Sequence, residues 1–363
     1  MKKTRQTLNT LLRRAAALTA GAAMLLSLAG CGAAAGAPAS ASATADSAQS
    51  GEGAAATAGG GTLRIAIVQP MSHTSLDQIR DTIIAELNAA GRTDMEIVTQ
   101  NANGDTSALA TILQNEKAKG ADIVVPIATS TAQSAKSVFE GSDTPIVFAA
   151  VSDPVAAGMT GAGCEQITGV SNNIPADEIV KLIANFQPDY KTIGFLYNSS
   201  ETNSVSTITA AKAYCDAQGV KYEEASIAAV TDLQAAVNTL LSKGVDALYT
   251  GNDNSIASAM TTYTDIAYAQ GVPIYCGADS MVADGGLATV GVDYVQLGKQ
   301  VAQLVLKVAD GAAPADLPYE TLQEYARYVN LKAADTLGLT LTDAMLDGFD
   351  VLVEKDGTSH FGQ

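Results

Sequence analysis

The sequence predicts an α/β protein made of two doubly wound lobes, each built on a mostly parallel sheet. Three observations support this fold class. Short β-branched runs alternate with helical stretches, glycines stand where the helices should end, and segments of the first half recur in the second half. Strand, helix, strand at this spacing produces right-handed crossovers, which build parallel sheets covered by helices.

The individual elements follow from these runs in order. Strands are predicted at residues 63–68, 96–99, 122–125, 146–148, 192–197, 247–249 and 273–275. Helices are predicted at residues 76–90, 107–119, 130–139, 204–218, 233–241 and 255–270. Five of these helices are followed by glycine, which tolerates the left-handed conformation that ends a helix; these are Gly91, Gly120, Gly219, Gly244 and Gly271.

An internal repeat relates the two halves of the chain. Residues 119–135 align without a gap to residues 243–259, with five of seventeen positions identical. The segments that begin at Ile65 and Ile193 also match, at the same offset of 128 residues as the Pro-Ile pairs at 145 and 273. Three matches in the same order predict two copies of one α/β unit. The alternative is that generic βα units resemble each other by chance. Two similar lobes are expected in that case as well.

The first 61 residues carry a different signal. Five basic residues precede an apolar stretch at 15–28 that is too short for a membrane span. The stretch ends in Leu28-Ala29-Gly30-Cys31, which resembles a bacterial lipobox. We therefore predict a lipoprotein signal peptide at 1–30 and a lipid on Cys31; the alternative is an ordinary signal peptide beside a chance cysteine. Residues 31–61 are nearly all small, which predicts a flexible tether.

Charge and cysteine content narrow the class of protein. The chain has 21 Lys and Arg against 38 Asp and Glu, and removal of residues 1–30 would leave 16 against 38, a net charge of −22. This balance argues against nucleic acid and anionic lipid as partners, so the membrane should be contacted only through the lipid on Cys31. Cys164, Cys215 and Cys276 have no CxxC spacing, which predicts buried thiols, no structural metal and at most one disulfide. Whether any two of them pair is left open.

The candidate ligand-binding residues follow from topology. Ligands of open parallel sheets bind beyond the carboxyl ends of the strands. In the two lobes these positions are the loops at 71–75 and 199–203, at 129–131 and 253–255, and at 152–153 and 279–280. All six are rich in Ser, Thr, Asn and Asp. Those residue types also cap helices, so each residue could be a cap, a ligand contact or both.

The chemistry of these loops indicates an amino acid. None of the six contains Arg or Lys, which disfavours a phosphorylated ligand. Helix N-termini and hydroxyls suit a carboxylate, and Asp253 and Asp279 suit an ammonium group. A sugar or nucleoside, bound through its hydroxyls, is the alternative.

Catalysis is not predicted. His73 and His360 are the only histidines, there is no GxSxG motif, and no cluster of His, Cys and acids has metal spacing. We therefore expect a protein with no enzymatic activity and no cofactor.

Five motifs carry a resemblance to a known family. They are His73-Thr-Ser-Leu-Asp77, Pro145-Ile-Val-Phe-Ala-Ala-Val-Ser-Asp-Pro154, Ile193-Gly-Phe-Leu-Tyr-Asn198 with Glu201 and Asn203-Ser204, Thr250-Gly-Asn-Asp-Asn254 and Leu287-Ala-Thr-Val-Gly-Val-Asp-Tyr294. Over residues 62–330 they resemble the ABC transporter substrate-binding lipoproteins associated with tryptophan and other aromatic amino acids. The one visible departure is Thr74, where that family would have proline.

The resemblance implies a type I periplasmic-binding-protein fold, a hinge of three crossings and closure around the ligand. The crossings would lie near 169–172, 292–293 and 318–320. Lobe 1 would then cover 62–171 plus 293–319, and lobe 2 would cover 172–292 plus 320–363. The resemblance also implies a monomer that delivers its ligand to an ABC permease and ATPase. A lipoprotein that senses the ligand for a membrane receptor is the alternative role.

A specific set of ligand contacts completes the prediction. The backbone end of the amino acid should meet Ser130, Thr131, Ser152, Asn198, Ser199, Asn203, Asp253, Asn254 and Asp279. His73, Ser75 and Leu76 should border an aromatic side chain, because their loop brings an imidazole and an apolar group to the mouth of the cleft.

Overall fold

Two sheets organise the part of the chain that the computed structural model describes, residues 61–322 and 325–361. The strands are β1 (Leu63–Gln69), β2 (Met95–Asn101), β3 (Ile123–Pro126), β4 (Ile146–Ala149), β5 (Ile167–Ser171), β6 (Thr192–Asn198), β7 (Lys221–Ile227), β8 (Ala247–Thr250), β9 (Ile274–Cys276), β10 (Ala288–Gly291), β11 (Glu320–Thr321), β12 (Ala326–Asn330) and β13 (Asp350–Val353). The helices are α1 (Thr74–Ala89), α2 (Ala108–Ala118), α3 (Thr129–Phe139), α4 (Ala176–Phe186), α5 (Thr202–Gln218), α6 (Leu233–Ser242), α7 (Asn254–Ala257), α8 (Met260–Tyr268), α9 (Asp279–Ala283), α10 (Tyr294–Ala309) and α11 (Leu331–Thr336).

The strand order confirms two doubly wound lobes. The first sheet runs β11-β5-β4-β3-β1-β2, and the second runs β13-β12-β10-β9-β8-β6-β7. The order β5-β4-β3-β1-β2 therefore repeats in the second lobe as β10-β9-β8-β6-β7. All pairings in the first sheet are parallel, and only β10 with β12 is antiparallel in the second. The internal repeat in the sequence is thus a repeat of topology.

Helices cover both faces of each sheet, which explains why the central strands are apolar throughout. In the first lobe, α1 and α10 pack on one face while α2 and α3 pack on the other. In the second lobe, α4 and α5 cover one face and α6 and α8 the opposite one. Strands β3, β4, β8 and β9 are consequently buried at every position, as is typical of parallel sheets.

The chain passes between the lobes three times. It leaves the first sheet after β5, enters the second lobe at α4, returns from β10 to α10, and crosses again between β11 and β12. The third crossing lies later than predicted, because Glu320 and Thr321 pair with β5 in the first sheet. The boundary that assigned residues from 320 onward to lobe 2 is therefore wrong by at least two residues. The backbone hydrogen bonds to β5 hold this segment in the first lobe.

One predicted helix is divided in the structure. The prediction of a single helix at 255–270 is wrong, because the chain leaves helical geometry at Ala259 (φ −124°, ψ 21°) between α7 and α8. The Ser258 hydroxyl donates a hydrogen bond to the Ser255 carbonyl, and the Ala259 N–H turns to Ile256 instead. A serine side chain that competes for a backbone carbonyl in this way shortens the helix.

The N-terminal predictions fall outside the described residues. They are the signal peptide at 1–30, the lipidation of Cys31 and the tether up to residue 60. Within 61–322 and 325–361, no helix combines the length and apolar character needed to cross a membrane. The three cysteines of this part are buried and free, as predicted for small thiols.

Candidate functional site

A small cavity lies between the lobes, at the carboxyl ends of both sheets. Seven of the twelve predicted ligand contacts line it: His73, Ser75, Leu76, Ser152, Asn203, Asp253 and Asn254. The remaining lining residues are Thr129, Ala150, Asn172, Asn252, Ala257, Ala278, Met281 and Tyr294. The cavity therefore has a polar part, made mainly of Ser, Thr, Asn and Asp, and an apolar part around Leu76 and Met281.

The two lobes are closed on this cavity. Nε2 of His73 lies 3.1 Å from Oδ1 of Asn254 on the opposite lobe. The hydroxyls of Ser75 and Ser280 also meet across the gap, and the Ser206 hydroxyl donates to the Asp153 carboxylate at 2.6 Å. Each bond of this kind contributes only about 0.5–1.5 kcal/mol, so closure should be readily reversible.

The five other predicted contacts lie elsewhere. Ser130 and Asn198 line the open mouth of the cleft, outside the cavity. Thr131 in α3 and Asp279 at the start of α9 are buried next to the cavity but do not line it. Ser199 is exposed, and its hydroxyl donates to the Ile227 carbonyl in its own lobe. Ser199 therefore stabilises the loop after β6 and does not face the cavity.

Backbone strain marks the cavity wall of the first lobe. Ala128 (φ 73°) follows β3 and Ala150 (φ 58°) follows β4, and both are non-glycine residues in the left-handed region. Such residues cost about 1–3 kcal/mol each and persist where the surroundings demand them, often at ligand sites. Here they turn the chain so that Thr129 and Ser152 reach the cavity.

Glu201 organises the second lobe and was missing from the predicted contacts. Its carboxylate accepts hydrogen bonds from the backbone and side chain of Asn254 and of Ser255, at 2.7–3.1 Å. It also accepts a hydrogen bond from the Asn203 side-chain amide at 3.2 Å. Glu201 thus fixes the start of α7 and the orientation of Asn254. The available signal was its position as the only acid in the loop after β6.

We expect Glu201→Gln to lower the free energy of unfolding by about 1.5–3 kcal/mol, because an amide NH₂ would then face donors that need an acceptor. Ligand affinity should fall as well, since Asn254 loses its orientation. Glu223→Gln is the matched control, because Glu223 makes only an exposed ion pair with Lys243 and should change stability by less than about 1 kcal/mol. Urea unfolding measures the stability of both variants. An equal loss of stability in the two would contradict the role of Glu201 in fixing the start of α7.

Asn252 and Asn172 form a second unpredicted part of the site, next to the first crossing. The Asn252 amide donates to the Asn172 carbonyl at 3.1 Å, and the Ser152 hydroxyl donates to Oδ1 of Asn172 at 2.9 Å. A Cβ at Gly277 would lie 2.3 Å from Oδ1 of Asn252, so any residue other than glycine at this position would clash with the Asn252 side chain. Recognising this group from sequence would have required knowing that β9 passes directly behind Asn252.

The two buried aspartates differ in their surroundings. Asp253 accepts hydrogen bonds from the Asn198 and Ile256 backbone N–H groups and from the Ser204 hydroxyl, at 2.6–2.9 Å. Burial, with Glu201 nearby, nevertheless raises the pKa of its carboxyl. Among the described residues, Asp279 accepts a hydrogen bond only from the neighbouring Ser280 N–H, at 2.7 Å, and burial raises its pKa to about 7. Asp279 is therefore the less satisfied carboxyl, with more capacity for a cationic partner.

Several polar atoms at the site have no partner among the described residues. They are Nδ1 of His73, Oγ1 of Thr129, Oγ1 of Thr131 and Oδ1 of Asn252. Buried polar groups are almost always hydrogen-bonded, so a cluster of unpaired ones around a cavity indicates that another molecule completes them. Within the described ranges, no group of His, Cys, Asp and Glu is arranged to hold a metal ion.

Two α/β lobes that close over a polar cavity at the carboxyl ends of their sheets define a solute-binding protein of the type I periplasmic class. Sequence comparison gives the family itself. Residues 64–350 match the family described as ABC transporter substrate binding protein, and the chain belongs to it. Members of this family bind solutes outside the cytoplasm and are not enzymes.

Individual relatives support this assignment. A tyrosine-binding protein of Clostridioides difficile (strain R20291) is 31% identical over 281 residues, which are 75% of this chain and 80% of that protein. The ABC domain from Streptococcus pneumoniae in complex with L-Trp has a TM-score of 0.75 and 34% identity, over 80% of this chain and 99% of that one.

A third relative differs in conformation. The ligand-free, open structure of a substrate-binding protein with adhesive properties from Clostridium difficile has a TM-score of 0.61 and 29% identity, over 80% of this chain and 98% of that chain.

Proposed function

We propose that this chain is a lipoprotein, anchored through Cys31, that captures an aromatic amino acid and delivers it to an ABC permease and ATPase. The observation that carries the proposal is the closed interlobe cavity with its unpaired polar atoms and its apolar side. The relatives named for tyrosine and solved with L-Trp support an aromatic ligand. The protein would act as a monomer, with the membrane contacted only through the lipid.

The ligand pose follows from the polarity of the cavity. We infer that Asp253, which lines the cavity, and Asp279, which follows the lining residue Ala278, face the ammonium group. The hydroxyls of Thr129 and Thr131 in the first lobe, unpaired among the described residues, would face the carboxylate. The side chain would lie against Leu76 and Met281, since a thioether packs well on an aromatic ring. No Lys or Arg occurs among the residues that line the described cavity, which disfavours a phosphorylated ligand.

Thermal-shift and calorimetric titration with the purified chain test the ligand class. We expect tryptophan, tyrosine or both to raise the melting temperature, because binding to the folded state adds about 2.7 kcal/mol of stability at a hundredfold excess over Kd. Tryptamine lacks the carboxylate and indole-3-propionate lacks the ammonium, so each should bind far more weakly than tryptophan.

The other outcomes are equally informative. Binding of leucine without any aromatic amino acid would reject the aromatic preference alone. Binding of ribose or a nucleoside, with no response to amino acids, would reject the proposed ligand class. Loss of labelled amino-acid uptake from cells that lack this gene supports import, whereas unchanged uptake would favour a sensing role.

A further inference from the structure

His73 is one of the residues that line the cavity. It precedes α1, three residues before Leu76, and it spans the closed lobes to reach Asn254. Its role depends on which ring nitrogen carries the proton, because that nitrogen donates and the other accepts.

The hydrogen-bond network determines the tautomer. The Glu201 carboxylate accepts from Nδ2 of Asn254 at 2.8 Å, and an ionised carboxylate can only accept. The Asn254 amide must therefore present its NH₂ to Glu201 and its Oδ1 to His73. Since Oδ1 is an acceptor, Nε2 of His73 must carry the hydrogen in the 3.1 Å contact between them.

Nδ1 of His73 is then a bare acceptor. It is shielded from solvent, has no partner among the described residues, and belongs to a side chain that lines the cavity. Burial also lowers the pKa of the imidazole, which keeps the ring neutral near pH 7 although Asn254, Glu201 and Asp77 favour the charged form. A neutral Nε2–H ring in this place offers an unpaired acceptor to a molecule in the cavity.

We propose that Nδ1 of His73 accepts a hydrogen bond from the ligand side chain and thereby selects aromatic rings that carry an N–H or O–H group. This inference rests on the proposed function, and it deepens it by favouring tyrosine and tryptophan over phenylalanine. A site built to bond a donor discriminates strongly against a ligand that lacks one, because the acceptor is then left buried and unpaired.

Paired ligands test the donor requirement by calorimetry. Tyrosine should bind at least about tenfold more tightly than phenylalanine, or tryptophan at least about tenfold more tightly than its benzothienyl analogue, in which sulfur replaces the N–H. In His73→Phe the ratio should fall to within about threefold, because the acceptor is gone. Ser75→Ala is the control: it removes a different bond between the lobes but keeps Nδ1 and the Asn254 contact that sets the tautomer, so affinities should fall together and the ratio should persist.

Two results would overturn the inference. In the first, phenylalanine binds the wild-type protein as tightly as tyrosine, and the benzothienyl analogue binds as tightly as tryptophan. In the second, His73→Phe weakens all ligands equally, which would assign Nδ1 to the ammonium group. Failure of every aromatic amino acid to bind would instead reject the proposed function, and the two failures are thereby distinguishable.

Nitrogen NMR tests the tautomer independently of the ligand. The chain has two histidines, so His360→Gln leaves the ring of His73 as the only signal. We expect a neutral ring protonated at Nε2 in the ligand-free protein, with an Nδ1 resonance that shifts on addition of tyrosine or tryptophan but not of phenylalanine. Protonation at Nδ1 in the ligand-free state, or an equal shift with phenylalanine, would contradict the inference.

Discussion

Asp279→Asn should lower the affinity for the amino-acid ligand by at least about tenfold while leaving the fold intact. Removing one partner of a desolvated charge pair costs about 2–5 kcal/mol, and asparagine keeps the shape while it removes the charge. Asp279 accepts a single hydrogen bond, from the Ser280 N–H, so an amide in its place can still satisfy that donor through its oxygen. Calorimetric titration of both proteins with tryptophan or tyrosine measures the effect.

Asp253→Asn separates charge recognition from structure. The Asp253 carboxylate accepts hydrogen bonds from three donors of its own lobe, so Asp253→Asn should lose stability as well as affinity. Asp279→Asn should lose affinity alone. If Asp279→Asn binds as tightly as the wild type, the ammonium group is held elsewhere, and the amino-acid pose proposed above is wrong.

The raised pKa of Asp279 also predicts how stability depends on pH. Burial places it at about 7, above the ordinary 3.8, so between these values the folded state keeps a proton that the unfolded state has released. Stability therefore falls as pH rises through this window, by up to about 1.4 kcal/mol per pH unit, and the loss is complete above about pH 7. Asp279→Asn should flatten this decline and melt higher than the wild type at pH 8.

Ligand binding should show the opposite dependence. An ammonium partner stabilises the ionised carboxylate, so binding releases a proton at pH values below about 7. The affinity of the wild-type protein should accordingly rise between pH 5 and pH 7, by no more than about tenfold per pH unit for this one carboxyl. Calorimetry in two buffers of different ionisation enthalpy detects the released proton. An affinity that does not change over this range would argue against Asp279 as the ammonium partner.

Cys31→Ser should abolish lipid attachment and remove the protein from the membrane fraction. The thiol is the only atom of the predicted lipobox that can carry the lipid, so loss of the modification should be complete. The first strand of the described part begins at Leu63, 32 residues after the substituted position, and we expect the variant to keep its melting temperature and its ligand affinity. Fractionation of cells, labelling with a radioactive fatty acid and mass spectrometry of the N-terminus report the outcome.

Cys164→Ser is the matched control, because Cys164 is a buried free thiol of the first lobe and should have no effect on lipid labelling. Retention of a mature, lipid-labelled form in Cys31→Ser would mean that the predicted lipobox is a chance match. An unlabelled wild-type protein that is still secreted would favour an ordinary signal peptide.

The sequence alone determined the architecture of this protein. Alternating strand and helix patterns locate β1, β3, β6 and β8 to within two residues at each end, because short apolar runs between longer helical patterns favour strands. The repeat anticipated two lobes with one strand order, and topology placed the site at the carboxyl ends of the strands. These features depend on local propensity and on the order of elements along the chain.

The tertiary structure decided which side chains of the loops face the cavity. Ser, Thr, Asn and Asp serve equally as helix caps and as ligand contacts, so composition could not distinguish Ser199, which holds its own loop, from Asn203, which lines the cavity. Glu201 and Asn252 matter only because residues about fifty positions apart meet in the folded chain. The acceptor role of His73 depends on a contact between the lobes that spans 181 positions. Such contacts arise from long-range packing and lobe closure, which no local sequence pattern encodes.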